Sequence, residues 1–132
     1  MKTDPQLHHV CKKIVPGSSE KVKEIFLMLG CKVTYEMPDE SWFMVGQEGL
    51  PFDIQLIEKS ATPLNDQFKV NSHVAFISEN PKVLIDKIGL WAAENNLSFK
   101  QGGWSERELW FDFPELFVDF VIEVMHVSIL ED

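Results

Sequence analysis

Four polar side chains stand singly on apolar, strand-like segments of this 132-residue chain, and their types suit metal coordination. They are His9, Gln55, His73 and Glu123. Because successive side chains of a strand point to opposite faces, each of the four shares its face mainly with apolar neighbours. Two imidazoles, one carboxylate and one amide oxygen can coordinate a divalent metal ion and leave room for water or a substrate. The residue types therefore predict a metal site.

The spacing of these four residues indicates an internal repeat. His73 follows His9 by 64 positions, and Glu123 follows Gln55 by 68 positions. The two offsets agree within the tolerance of a loop change, as expected for a chain made of two similar units. If two such units pack as halves of one curved sheet, the four side chains converge.

Each assignment has a plainer alternative. His9 could be an ordinary histidine of a sheet, and a shift of one residue in register would place His8 on that face instead. Gln55 could orient a substrate, because an amide is a poor metal ligand. Glu123 requires either a partner or an open, wet cavity, since a buried carboxylate is costly. Asp119 is predicted on the same face as Glu123 and could be a general base or a rim residue in water.

Hydrophobic periodicity gives the order strand, helix, three strands, and then the same order again. Gly30 is typical of a helix end, and Asn80-Pro81 is typical of a helix start. We therefore predict an α+β fold in which two βαβββ repeats form a curved, mainly antiparallel mixed sheet around a cleft, with the helices outside.

The predicted domain organisation is simple. One domain covers residues 1–132, with repeat units at about 7–58 and 70–126. The segment 59–69 has no periodicity and carries Ser, Thr, Pro, Asn and Asp, so it is predicted to be a linker.

Three local features are also predicted from composition. The segment from Leu116 to Met125 is rich in Val, Ile and Phe and is predicted to be one strand. Gly102-Gly103 is predicted to be the turn between two strands. Glu58 falls on the strand face opposite to Gln55 and is expected to be solvated.

Composition excludes several classes of function. The net charge is −9 and Arg107 is the only arginine, which argues against nucleic acid and against an anionic membrane surface. No apolar run approaches the length of a membrane span, and the N-terminus leads into the first strand without a signal-peptide core. We expect a cytoplasmic protein in which Cys11 and Cys31 do not form a structural disulfide.

Four segments in order carry a family resemblance. Leu-His-His-Val lies near the start, and Asp-Ile-Gln-Leu-Ile-Glu closes the first repeat. Ser-His-Val-Ala-Phe opens the second repeat, and Phe-Asp-Phe-Pro-Glu-Leu-Phe-Val-Asp-Phe-Val-Ile-Glu-Val closes it. From Leu7 to Met125 the chain resembles the vicinal oxygen chelate superfamily, the group of glyoxalases, bleomycin-resistance proteins and extradiol dioxygenases.

The resemblance implies a ligand set and an activity. It implies that His9, Gln55, His73 and Glu123 bind one divalent ion (Zn, Ni, Co, Mn or Fe), a set most similar to that of methylmalonyl-CoA epimerase, with Glu123 also catalytic. It implies a homodimer acting on a small oxygenated substrate through an enolate-like intermediate, as an isomerase, epimerase or lyase.

Two departures keep a second hypothesis open. The family's Asp-Pro-Asp/Glu-Gly-Asn segment is replaced here by Asp112-Phe113-Pro114-Glu115-Leu116, and no residue matches the epimerase's second proton-transferring glutamate. The alternative is a metal-free protein of the bleomycin-resistance type, which would bind an apolar or aromatic ligand in the same cleft.

Overall fold

The structure, a computed structural model, describes residues 4–132. The part of the N-terminal expectation that concerns residues 1–3 lies outside the described residues. The chain divides into two compact units, Met1–Ser60 and Ala61–Asp132. None of the helices in the described part of the chain is long and apolar enough to span a membrane.

The first unit has the order βαβββ. Its elements are β1 (His9–Ile14), α1 (Ser19–Met28), β2 (Lys32–Met37), β3 (Trp42–Gly46) and β4 (Asp53–Glu58), with a 3-10 turn at Pro38–Glu40. The sheet order is β1-β4-β3-β2. β1 runs parallel to β4, and the other neighbouring strands are antiparallel.

The second unit repeats this order after one additional helical turn. Its elements are α2 (Asp66–Lys69), β5 (His73–Ser78), α3 (Pro81–Glu94), β6 (Lys100–Ser105), β7 (Glu108–Asp112) and β8 (Val121–His126), followed by a 3-10 helix at Val127–Glu131. The sheet order is β5-β8-β7-β6, with β5 parallel to β8. The two mixed sheets confirm the predicted α+β fold of βαβββ repeats.

In each unit the long helix covers one face of its sheet. Val22, Ile25 and Phe26 of α1 are buried, and α1 lies against β3 and β2. The side chains of Ile85, Ile88 and Ala92 of α3 are buried in the same way over β8, β5 and β7. This burial of apolar area is the main stabilising term for each layer. The candidate ligands lie on the opposite face of each sheet.

The helix boundaries follow the sequence signals. α1 ends before Gly30, whose φ of +85° is the left-handed conformation that favours glycine. α3 begins at Pro81, directly after Asn80. The predicted linker, in contrast, is not entirely irregular. Its last residues form α2, and Lys69 at the end of α2 is fully buried.

The predicted strand from Leu116 is wrong in its first half. β8 begins at Val121, and the residues before it form a turn in which the N–H groups of Leu116 and Phe117 both donate to the Phe113 carbonyl at 2.9 Å. The Phe117 and Phe120 rings stack with centroids 4.3 Å apart. The aromatic residues that suggested a strand therefore fill the core from a turn.

Two further predictions are corrected. Asp119 lies in that turn and not on the strand face of Glu123, so it loses the placement that suggested a general base. Gly102 and Gly103 lie within β6, and the strand reverses instead at residues 106–107. A Cβ on Gly102 would lie 2.6 Å from Trp110 Cζ2, so packing against the indole explains this glycine.

Candidate metal centre

The second unit brings His73 and Glu123 into contact. Glu123 faces Ala75 in the parallel β5–β8 register, and His73 lies two residues before Ala75 on the same face of the sheet. His73 Nε2 is 3.3 Å from Glu123 Oε1. The diagonal contact across two parallel strands follows from the register, because side chains two positions apart on a strand share a face.

The hydrogen bond of the other ring nitrogen of His73 determines which nitrogen carries the proton. Nδ1 lies 2.8 Å from the carbonyl oxygen of Val70, three residues earlier in the chain. A carbonyl can only accept, so Nδ1 carries the proton in the neutral ring. Nε2 is then an unprotonated acceptor that faces a carboxylate oxygen. Metal-binding histidines in proteins usually donate their second N–H to a carbonyl or carboxylate in this way.

Glu123 is held in a low-polarity environment. Only 7% of its side chain is exposed, whereas the His73 side chain is 37% exposed. Burial raises the pKa of the Glu123 carboxyl above its ordinary value; nearby Glu108 adds to that rise, and His73 opposes it. A carboxylate in this setting is stabilised by a cation next to it.

An aromatic side chain flanks the pair. The Trp104 and His73 rings lie with centroids 5.5 Å apart and planes tilted by 52°. Trp104 is half-exposed, at 48%. Trp110, which faces Glu123 in the β7–β8 register, lies against Gly102 on the same side. Two indoles therefore border the candidate site in this unit.

The first unit repeats the arrangement with His9 and Gln55. Gln55 faces Cys11 in the parallel β1–β4 register, and His9 lies two residues before Cys11 on the same face. His9 is the first residue of β1, whereas His8 precedes the strand. The Nδ1 atoms of the two imidazoles lie 2.9 Å apart. The register thus places His9, rather than His8, on the face of Gln55.

Asp53 is a residue of this face that the sequence reasoning missed. It faces His9 in the register and lies two residues before Gln55 on β4. Its Oδ2 accepts a hydrogen bond from Thr34 Oγ1 at 2.8 Å. The alternation along β4 could have identified it, because Asp53, Gln55 and Ile57 share one side of the strand.

Glu58 differs from its expectation. It is half-buried, and its Oε2 accepts hydrogen bonds from the backbone N–H and the hydroxyl of Ser19 at the start of α1. Glu58, which was predicted to be solvated, therefore binds the first residue of α1, where the free backbone N–H groups of the helix N-terminus favour an anion.

Each unit thus supplies two of the four predicted donors on one sheet face. Within neither unit do three or more His, Cys, Asp or Glu side chains of the described residues group closely enough to hold a metal ion. A site made from one unit alone would therefore have only two of the predicted protein ligands. The proposed set requires donors from two units, from one chain or from two.

Comparison with solved structures supports the fold assignment. A possible glyoxalase from Bacillus cereus matches with a TM-score of 0.57 and 18% identity, over 91% of this chain and 97% of that one. The trypanothione-dependent glyoxalase I of Leishmania major matches with a TM-score of 0.58 and 16% identity, over 96% and 89%. The fosfomycin resistance protein FosX of Mesorhizobium loti matches with a TM-score of 0.56 and 10% identity, over 98% of each chain.

Sequence comparison adds no further assignment. No protein-family model matches the chain, and no curated protein sequence matches it significantly. At these identities the structural matches establish the fold alone. The chain therefore has the fold shared by glyoxalases, bleomycin-resistance proteins and FosX.

Proposed function

We propose that this protein binds one divalent metal ion through His9, Gln55, His73 and Glu123. The observation that carries the proposal is the contact between His73 Nε2 and Glu123 Oε1 at 3.3 Å. Because Val70 holds the His73 proton on Nδ1, both atoms of this contact are acceptors in the neutral ring. Two facing acceptors need a cation or a proton between or beside them.

The chemistry of the donors favours a metal ion. An imidazole nitrogen and a carboxylate oxygen are ligands that Zn, Ni, Co, Mn and Fe accept. The carbonyl behind His73 is the supporting contact that such ligands usually have. The equivalent diagonal placement of His9 and Gln55 in the first unit supports a four-donor set.

The reaction class we propose is that of an isomerase, epimerase or lyase acting on a small oxygenated substrate. When bound, the metal would supply Lewis acidity toward two neighbouring substrate oxygens and so favour an enolate-like intermediate. His73 and Glu123 would hold the ion from the second unit, and Gln55 would contribute its amide oxygen from the first. Glu123 is the catalytic candidate, and the ligand set is most similar to that of methylmalonyl-CoA epimerase.

Metal content tests this proposal directly. Elemental mass spectrometry of the purified protein should find about one ion per chain, and chelator-treated protein should rebind Ni, Zn, Co or Mn. His73→Ala and Glu123→Gln should each abolish stoichiometric binding while the protein remains folded. His126→Ala is the matched control, because His126 is bonded to Ser128 at the far end of β8. Full metal occupancy in both ligand variants would rule out the proposed set.

A second candidate function rests on the exposed aromatic rings. Trp104 is 48% exposed beside His73. Tyr35 in the first unit is 54% exposed, and its ring centroid lies 5.6 Å from that of Trp42. Exposed aromatic surface on a ligand-binding fold suits a metal-free protein of the bleomycin-resistance type that binds an apolar or aromatic ligand. In that case His73→Ala and Glu123→Gln should leave ligand affinity largely intact.

The assembly we propose is a homodimer. Its mass in solution, measured by light scattering after size exclusion, tests this part of the proposal independently of metal content. A monomer at micromolar concentration would contradict it.

A further inference from the structure

We propose that the buried ion pair between Lys69 and Asp112 is a positioning device that orients His73 toward Glu123. This inference rests on the proposed function, because it concerns one of the proposed ligands. Lys69 and Asp112 do not touch the site themselves; they act on the turn that leads into β5.

The ion pair is unusual in its burial. Lys69 Nζ lies 2.8 Å from Asp112 Oδ1, and the two side chains are 0% and 1% exposed. The ammonium also donates to the carbonyl of Phe117 at 2.7 Å. Burial raises the pKa of Asp112 even though the adjacent Lys69 opposes the rise. Removing two charges from water is costly, and apolar residues often replace such pairs without loss of stability, so stability alone does not account for the pair.

The backbone links this pair to His73 within four residues. Lys69 is the last residue of α2, and its carbonyl accepts the Ser72 N–H at 2.8 Å. The Val70 N–H donates to Asp66 at 2.9 Å. The Val70 carbonyl, which meets His73 Nδ1, therefore lies between the anchored Lys69 and the start of β5.

Asp112, the second member of the ion pair, lies on the strand that pairs with the strand of Glu123. Asp112 lies on β7, two residues beyond Trp110, and Trp110 faces Glu123 in the register. The pair thus joins the turn that carries the Val70 carbonyl to the same sheet face that carries Glu123. Without this anchor the carbonyl is free to move, and the His73 ring can then carry its proton on either nitrogen.

The tautomer of His73 in metal-free protein is the most direct test. Long-range proton–nitrogen NMR correlation reports directly whether Nδ1, Nε2 or both ring nitrogens of His73 hold a proton. In the wild-type protein we expect the proton on Nδ1. In Lys69→Met/Asp112→Leu, which removes both charges together, we expect a mixture of the two tautomers and a 10- to 100-fold loss of Zn affinity, the usual effect of removing a ligand's supporting contact.

Lys100→Met is the matched control. Lys100 also pairs with a residue of α2, Asp66, at 3.8 Å, but its side chain is 57% exposed. This variant should keep the wild-type tautomer and Zn affinity, because exposed pairs contribute little. If Lys69→Met/Asp112→Leu fails to fold, Lys69→Met/Asp112→Asn removes the same anchor with a smaller change at position 112.

The outcomes separate this inference from the proposed function. A folded double variant that keeps the Nδ1 tautomer and wild-type Zn affinity would overturn the positioning role. A wild-type His73 with its proton on Nε2 would overturn it without any variant. A change of tautomer in a protein that binds no Zn would support the positioning role and reject the metal site.

Discussion

His73 Nε2 and Glu123 Oε1 lie 3.3 Å apart, yet the Glu123 side chain is 7% exposed and the His73 side chain 37%. The carboxylate is thus on the inner side of the contact and the imidazole on the outer side. An ion that arrives from solvent would meet the imidazole first. The half-exposed Trp104 ring lies next to the His73 ring, with centroids 5.5 Å apart.

This geometry predicts that Trp104 reports metal binding. A quenching ion such as Cu²⁺ or Ni²⁺ bound at His73 would lie close to the indole, because the two ring centroids are 5.5 Å apart. We therefore expect a saturable decrease in tryptophan fluorescence on titration. Trp104→Phe should remove part of its amplitude, and the remainder should come from Trp110, which faces Glu123. Trp91→Phe is the control, because Trp91 lies on α3 and packs against Phe113. Equal quenching in the two variants would place the ion elsewhere.

Glu58 gives a prediction about acid stability. Burial alone would raise its pKa, but hydrogen bonds from the Gly17 backbone and from the hydroxyl and N–H of Ser19 outweigh burial and hold the pKa of Glu58 below its ordinary value. A depressed pKa means that the native state binds the proton less readily than the unfolded state. The stabilisation is therefore present above the unfolded pKa of about 4.3 and is lost as the pH falls through the folded pKa.

The corresponding variant is Glu58→Gln. At neutral pH it should lower the free energy of unfolding by about 1–2 kcal/mol, less than the full value of about 1.5–3 kcal/mol for a hydrogen bond to a charged group because Glu58 is only half-buried. The difference from wild type should shrink as the pH falls from the unfolded pKa through the folded pKa. Urea unfolding across this pH range measures both effects. Glu79→Gln, a change at an exposed residue just after β5, should have almost no effect. A loss of stability in Glu58→Gln that does not vary with pH would contradict the charge-based account.

The repeat and the element order could be predicted because they depend on local patterns. Alternation along β4 and β8 places Gln55 and Glu123 on defined faces, and Gly30 marks the end of α1. The parallel registers then give both units the same diagonal placement of donors. The face of each strand residue and the end of α1 are fixed by residue type and spacing within a few positions of the chain.

The features that could not be predicted depend on contacts distant in sequence. Lys69 lies in a polar stretch that gives no sign of burial, and its partner Asp112 is contributed by another element, β7. The contact from Val70 to His73 uses a backbone carbonyl, which no residue type specifies. The sequence predicts strand for the turn before β8, because aromatic residues favour strands and also fill cores.

Gly102 provides a stability prediction from packing. A Cβ at this position would lie 2.6 Å from Cζ2 and 2.8 Å from Cε2 of the Trp110 indole, which is too close for a rigid ring system. We expect Gly102→Ala to lower the free energy of unfolding by about 1–3 kcal/mol, the range for overpacking. In Gly102→Ala/Trp110→Leu the loss should be smaller than the sum of the two single losses. Additive losses in this double-mutant cycle would show that the indole is not what excludes the side chain.

The two cysteines predict a difference in thiol reactivity, because Cys11 lies on β1 and Cys31 lies just before β2. Neither forms a disulfide; Cys11 is exposed on β1 opposite Gln55, and Cys31 is buried. Burial raises the pKa of the Cys31 thiol to about 11, against a smaller opposing effect of Gln47. The thiolate is the reactive form, so Cys31 should be almost inert at neutral pH. A thiol reagent should therefore modify one thiol per folded chain in a rapid phase, and Cys11→Ser should remove that phase. Two thiols that react equally fast in the native protein would contradict the burial of Cys31.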